Sequence, residues 1–200
     1  MTPISRRLPT VALRVPDHKV MQALLAATDI PLAAPSANVS GTISPTRTAH
    51  VLRTLQDRIP LIIDGGPTTG GLESTIAKVD GDRVYLLRHG PIVVEGALPN
   101  PRKRVEAPGQ LDAHYAPAKP LRLDTLYAAP DEWLIGFGEI AGNYTLSASG
   151  NLAEAVARLF DLLHAADQSS AKRIAVAPIP HKGIGLAIHD RLTRAAAGAR

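Results

Sequence analysis

Residues 10–15, Thr-Val-Ala-Leu-Arg-Val, alternate so that Val11, Leu13 and Val15 share one face and Thr10, Ala12 and Arg14 the other. Period-two alternation predicts a strand with one apolar and one polar face. Asp17 stands where it would cap a short helix bearing Val20, Leu24 and Leu25, and residues 30–34 read as a second strand ending ahead of Pro35. Ser44-Pro45-Thr46 offers an N-cap serine and a first-turn proline to a helix whose Leu52, Leu55 and Ile59 fall at i, i+3 and i+7, ending before Pro60. Residues 61–63 predict a buried strand that stops at Asp64-Gly65-Gly66, and a glycine-rich loop then runs to Gly71. Residues 74–79 and 83–88 flank Asp80-Gly81-Asp82, a hairpin signal.

Between residues 98 and 120 the periodicity is lost. Pro99, Pro101, Pro108, Pro117 and Pro120 and the triplet Arg102-Lys103-Arg104 interrupt it, so the stretch reads as a linker. Beyond it, residues 133–137 and 144–146 predict strands, and Asn151 with Glu154 forms a capping box ahead of a helix carrying Leu152, Val156, Leu159 and Leu163. Residues 174–177 give one more strand and 184–197 a closing helix. The order β, β, α, β, α implies a small α/β layer of about 80 residues.

Composition narrows the class. Of 200 residues, 45% are apolar and 20% charged, which describes a soluble globular chain rather than a disordered or fibrous one. No stretch has the about 18 uninterrupted apolar residues of a spanning helix, and the first residues lack the apolar segment of a signal peptide, so the chain reads as cytoplasmic. With no Cys, disulfides, thiolate nucleophiles and Cys-ligated zinc are all excluded, and the seven His fall into no zinc-binding spacing. The net charge of +4 is shared evenly between the two halves, without a basic tail.

Chemistry is concentrated in a few places. Ser36, Asn38, Ser40 and Ser44 lie between a predicted strand end and a predicted helix start, where hydroxyls and free backbone N–H groups hold anions without a metal. Ordinary loop and cap chemistry explains them equally. A two-residue loop at Asp80-Gly81 sets Arg88 opposite Glu73, one at Gly81-Asp82 sets it opposite Thr75, and either puts it beside Ser74. Ser74 and Arg88 then hold a phosphate, or Arg88 is a surface partner of Glu73. Arg14, a charge on an otherwise apolar strand, needs a partner. Gly136, Gly138 and Gly142 follow a predicted strand with the wrong spacing for a dinucleotide fingerprint. His114-Tyr115 sits in the linker, where an aromatic either pins the linker to a domain or meets a ligand. No Ser-His-Asp order with a nucleophile elbow appears, nor a carboxylate pair at helical spacing in a plausible cleft. The residues support an anion or nucleotide binder without a covalent nucleophile.

Taken together, Thr10 to Pro16, Pro35-Ser-Ala-Asn38-Val-Ser-Gly41, Ser44-Pro-Thr46, Asp64-Gly-Gly66, Glu73-Ser-Thr-Ile76 and Leu87-Arg88-His-Gly90 resemble the second half of the YrdC-like domain of the L-threonylcarbamoyladenylate synthases. Ala107-Pro-Gly109 with His114-Tyr-Ala-Pro117 resembles the inter-domain segment of the two-domain form, and Ser147 to Asn151, Ala177 to Pro180 and Gly183 to Ile188 its Rossmann-like C-terminal domain. The resemblance implies an α/β fold: a partial YrdC-like domain over residues 1–96, a linker over 97–120 and a Rossmann-like domain over 121–200. It implies a nucleotidyltransferase that joins L-threonine, bicarbonate and ATP into threonylcarbamoyl-AMP and pyrophosphate for tRNA threonylcarbamoyladenosine. ATP enters as substrate with Mg2+, no cofactor is covalently held, the tRNA threonylcarbamoyl transfer machinery acts downstream, and no membrane is involved. Arg14, Ala34 and Ser74 would contact L-threonine; Thr10, Ser36, Ser44, Arg88 and Tyr115 would contact ATP.

Members of that family begin with roughly a hundred further residues that carry the triphosphate's basic ligands. A gene product lacking its front half, one piece of a split enzyme and a remnant with another role are the accounts to separate, and the chain alone is expected to form no product. The non-enzymatic alternative is a nucleotide- or double-stranded-RNA-binding module.

Overall fold

The computed structural model describes residues 10–101 and 113–199. The triplet 102–104, Pro108 and the Ala107-Pro-Gly109 motif lie outside them. The chain is mixed α/β and divides into two compact units, one ending at Ser36 and the other starting at Ala37.

In the first unit one helix, α1 (Lys19–Thr28), carries Val20, Leu24 and Leu25 as expected, but its N-cap is His18 rather than Asp17 and no side chain caps it. Neither expected strand forms. Val11, Leu13 and Val15 are 54%, 89% and 93% exposed, and Ile30 and Leu32 are likewise exposed. Alternation predicts which residues would face a core, but a strand exists only when another backbone completes its ladder. Among the described residues none does so.

In the second unit α2 (Thr48–Leu55) starts four residues after the expected cap. Ser44 and Thr46 are instead buried in a loop, and Arg47 takes the N-cap position without a side-chain capping bond. Residues 61–63, expected as a buried strand, form none, and Leu61 is 74% exposed. The hairpin is present: β1 (Ile76–Asp80) pairs antiparallel with β2 (Arg83–Arg88) around Gly81-Asp82. An irregularity between Ile76 and Ala77 moves Arg88 opposite Ile76, one residue from the nearer of the two expected registers. The short β3 (Leu98–Pro99) then pairs parallel with β2, so a stretch expected to be wholly linker contributes a strand at its start.

A second sheet forms the larger core. β4 (Leu121–Arg122), β5 (Glu132–Gly136), β6 (Tyr144–Thr145) and β7 (Arg173–Val176) lie in the order β4-β7-β5-β6, all parallel. The two long helices are α3 (Leu152–Gln168) and α4 (Gly185–Gly198). Ile135, Leu146, Leu159, Leu163, Ile174 and Ile188 are essentially inaccessible in one cluster. Three of the four strands stand where the residue pattern puts them; the signal of β4 is obscured by the adjacent Pro120.

The capping box of α3 closes through a relay. Asn151 Oδ1 accepts from the backbone N–H groups of Ala153 and Glu154, but its own N–H donates to Ser147 Oγ, which donates in turn to Glu154 Oε2 at 2.6 Å. Gly136 and Gly142 have a packing reason. A Cβ on Gly136 would collide with the Ile140 carbonyl, and one on Gly142 with that of Leu134. The glycines at the end of β5 and after it therefore let two backbone segments touch, in keeping with a spacing that fits no dinucleotide loop.

Candidate functional site

Thr10, Arg14, Ala34 and Ser36 all belong to the first unit, where each is exposed. Arg14 is not a charge stranded on an apolar strand, since its segment is no strand and the apolar residues around it are equally open.

The second unit brings its four predicted residues together. Glu73 is the hub. Its Oε1 accepts the hydroxyl of Ser44, and its Oε2 accepts Nε of Arg191 at 2.9 Å. Gly71 anchors the loop carrying Glu73: with φ +66 it lies so close to α3 that a Cβ would strike the Val156 carbonyl and Ala157. Arg88 meets Ser74 through the backbone, its Nε and Nη2 both donating to the Ser74 carbonyl at 3.0 and 2.8 Å. The expected neighbourhood of Arg88 and Ser74 is thus realised, with the carbonyl rather than the hydroxyl as acceptor.

Tyr115 is the residue the fold treats most unusually. It is 1% exposed and packs on Phe160 and His114, and the Arg191 guanidinium lies 5.4 Å from its ring centroid. Its φ of +62 is rare for a bulky side chain and costs of order 1–3 kcal/mol, which the surroundings must offset. The linker is held beside it, with the Ala116 N–H donating to the Gly41 carbonyl and the His114 N–H to that of Arg194. Tyr115 is thus buried in the second unit between two backbone anchors of the linker.

Charge and burial compete across the cluster. Burial holds Arg88 below the ordinary arginine value, with Tyr115 and Glu73 opposing. Burial also opposes the charge of Arg191, but Glu73, Tyr115 and Asp190 outweigh it and leave its pKa raised. The Tyr115 phenol is pushed up by burial and by Glu73, and His114 is pushed down chiefly by burial. Such an arrangement of paired cations and hydroxyls suits binding and positioning of an anion.

Sequence reasoning missed Arg191. It sits on the same face of α4 as Ile188, Leu192 and Ala195, all buried, at the spacing that marks a core-facing position. A cation on that face was the available signal. Also missed were His50 and His164, which stack in the same unit beside Asp161. Among the described residues no group of three His, Cys, Asp or Glu is placed to hold a metal ion.

Comparison with known proteins gives these residues a context. Residues 2–90 match the family described as telomere recombination, and residues 75–197 the family described as threonylcarbamoyl-AMP synthase, C-terminal domain. The chain is 34% identical to the threonylcarbamoyl-AMP synthase of Bacillus subtilis (strain 168) and 31% identical to that of Pyrococcus abyssi (strain GE5 / Orsay). These alignments cover 98% and 96% of the chain and 65% of each relative, so the chain spans somewhat less than two thirds of their length. The crystal structure of P. abyssi Sua5 complexed with L-threonine superposes with a TM-score of 0.84 at 29% identity, over 98% of this chain and 66% of that one. The loop that carries Glu73, the hairpin, the buried Tyr115 and the parallel sheet with α4 all fall within these matches, and the chain belongs to the threonylcarbamoyl-AMP synthase family.

Proposed function

We propose that this chain carries substrate-contacting residues of a threonylcarbamoyl-AMP synthase, an enzyme of tRNA modification. The observation that supports this most is the convergence of Ser44, Ser74, Arg88 and Tyr115 on Glu73 and Arg191, since these four come from separate sequence motifs. In this reading Ser44, Arg88 and Tyr115, with Thr10 and Ser36, serve ATP, and Arg14, Ala34 and Ser74 serve L-threonine. The division into residues 1–96, 97–120 and 121–200 and a cytoplasmic location belong to the same reading.

The chemistry needs no protein nucleophile. The amino group of threonine bonds to the carbon of bicarbonate as a C–O bond of bicarbonate breaks and water leaves, giving a carbamate; a carbamate oxygen then forms a bond to the α-phosphorus of ATP while the bond to the bridging oxygen breaks and pyrophosphate leaves. The protein's task is to hold the reactants in line and offset phosphate charge. Arg88 donates twice to the Ser74 carbonyl, and these two hydrogen bonds fix one edge of its guanidinium plane. Mg2+ would arrive with the ATP phosphates as part of the substrate. The tRNA transfer machinery would take the product.

The test is ATP binding and pyrophosphate release by the purified chain with L-threonine and bicarbonate, with and without the front segment of a related enzyme added. The expected result is ATP binding that L-threonine strengthens, and threonine-dependent pyrophosphate release at least in the supplemented mixture. Absence of both overturns the proposal. Salt-sensitive binding of double-stranded RNA that ignores threonine would instead favour the RNA-binding alternative.

A further inference from the structure

Arg191 is fully buried, on a helix that carries none of the expected substrate contacts. Its three nitrogens each donate to a different partner: Nε to Glu73 Oε2 at 2.9 Å, Nη1 to Asp190 Oδ2 at 2.7 Å, and Nη2 to the His89 carbonyl at 2.8 Å. Its guanidinium also faces the Tyr115 ring. Glu73 and His89 each adjoin or hold a member of the predicted set. Glu73 binds the Ser44 hydroxyl and precedes Ser74, and His89 follows Arg88. One side chain thus ties together the 41–46 loop, the 73–75 segment, the end of β2 and the linker at Tyr115.

A buried arginine is a costly way to fasten a core, because well-packed apolar residues of similar volume often serve stability as well or better. Its planar fork is suited to fixing several acceptors at set angles, which a lysine cannot reproduce. The strained φ of Tyr115 points the same way, since such a conformation persists only where neighbours over-determine it.

We propose that Arg191 is a positioning residue: from α4 it sets the mutual placement of Ser44, Ser74, Arg88 and Tyr115, and so couples the C-terminal α/β layer to the nucleotide-binding surface. Its consequence for ATP rests on the synthase reading above; the placement itself does not. In this role Arg191 touches no substrate. It acts on Ser44 through Glu73, on Arg88 through the adjoining His89 carbonyl, and on Tyr115 through the face of the ring.

The test uses the full chain and three variants. Arg191→Lys keeps the charge without the fork, Arg191→Met removes it, and Arg191→Met combined with Glu73→Gln removes both charges, so that folding is not lost to an uncompensated carboxylate. Amide hydrogen exchange is read over residues 41–46, 88–90 and 113–117 and, as a remote reference, over β5 and β7. ATP affinity is read by calorimetry with L-threonine present. Exchange in the three segments is expected to quicken in the Met variants, less in the Lys variant, with the reference strands unchanged. The ATP dissociation constant is expected to rise about tenfold in the Met variants and less in the Lys variant, tenfold being about 1.4 kcal/mol. Unchanged exchange in the three segments, equal quickening of β5 and β7, or loosened segments with unaltered ATP affinity would each overturn the proposal. If the unmodified chain, with and without the front segment of a related enzyme, shows neither ATP binding nor pyrophosphate release, the synthase reading fails by itself and the exchange pattern alone decides the role of Arg191.

Discussion

The imidazole of His50 stacks on that of His164, with ring centroids 3.7 Å apart and planes 28° apart. Both side chains are buried, His50 on α2 and His164 on α3, and His164 Nε2 meets the Ser44 carbonyl at 3.1 Å. Burial lowers the pKa of His50 from 6.5 to about 4; His164, Arg53 and Arg47 add to the shift and Asp161 opposes it. The pKa of His164 is also lowered, first by burial, against the pull of its bond to Ser44. Well above pH 6.5 both folded and unfolded chains carry these histidines neutral. As pH falls from 6.5 towards 4, the unfolded state takes up protons that the folded state refuses, so stability is lost across that window. Urea midpoints are expected to decline between neutral pH and about pH 4.5, and the decline should be shallower in His50→Gln. An equal slope in both proteins would show that the burial of His50 is not a source of the acid sensitivity.

In the synthase reading Arg14 meets the carboxylate of L-threonine. Arg14→Ala is expected to weaken threonine binding far more than ATP binding, by about 1.5–3 kcal/mol, roughly 10- to 100-fold. Calorimetric titration with threonine that changes by less than about threefold removes Arg14 from the threonine site.

What could be read from the sequence divides along a physical line. Residues 133–137, the helix after Asn151 and residues 184–197 were legible because their periodicity marks a buried face and other elements of the same cluster are present to cover it, and Asn151 caps α3 as its spacing demands. The segments around Leu13, Leu32 and Leu61 carry equally good strand signals and form no strand, because a ladder needs a second backbone that the pattern cannot supply. Ser44 shows the same limit at the level of one side chain. Its neighbours spell a helix cap, but the carboxylate of Glu73, twenty-nine residues on, takes its hydroxyl instead. Of the site, the meeting of Ser74 and Arg88 followed from hairpin geometry, while the hub at Glu73 and Arg191 depends on contacts more than a hundred residues apart.

Tyr115 gives two separable outcomes. Tyr115→Ala empties a fully buried site and should cost about 3–5 kcal/mol, as large aromatic truncations in cores do. Tyr115→Phe keeps the volume and removes only the phenol. If the hydroxyl serves ATP, Tyr115→Phe should weaken ATP binding by about 1 kcal/mol with little change in thermal midpoint. An ATP affinity that follows stability across both variants would leave Tyr115 as packing alone.

The relay at the start of α3 predicts an unequal pair of variants. Asn151→Ala removes the acceptor for two helix N–H groups and should cost about 1 kcal/mol. Ser147 is completely buried and bonds both the Asn151 N–H and Glu154, so Ser147→Ala orphans two partners and should cost more, about 1–3 kcal/mol. Denaturant midpoints at constant m would rank them; equal costs would mean that Glu154 finds water as easily as Ser147.

Exposure is distributed in a way that predicts association. Leu13 and Val15 in the first unit are 89% and 93% exposed, and Leu61, Val79 and Val93 in the second are each more than 70% exposed. Around Leu13 the side chains alternate as a strand requires, and no described backbone completes a ladder with that segment. Open N–H and C=O groups beside apolar side chains form a template for pairing with another chain. Meanwhile β5, β7 and α3 surround a fully buried cluster and should remain the slowest-exchanging part of the molecule. Sedimentation velocity is therefore expected to show concentration-dependent self-association, with hydrogen exchange fast over residues 10–16 and slow over β5 and β7. Replacing Leu13 and Val15 together by Glu should reduce that association without lowering the protection of β5, because charges on an open edge oppose pairing and the core lies elsewhere. A chain that sediments as a monomer at every concentration, or a double variant that associates as strongly as the parent, would show that the exposed segment around Leu13 is not where the molecules meet.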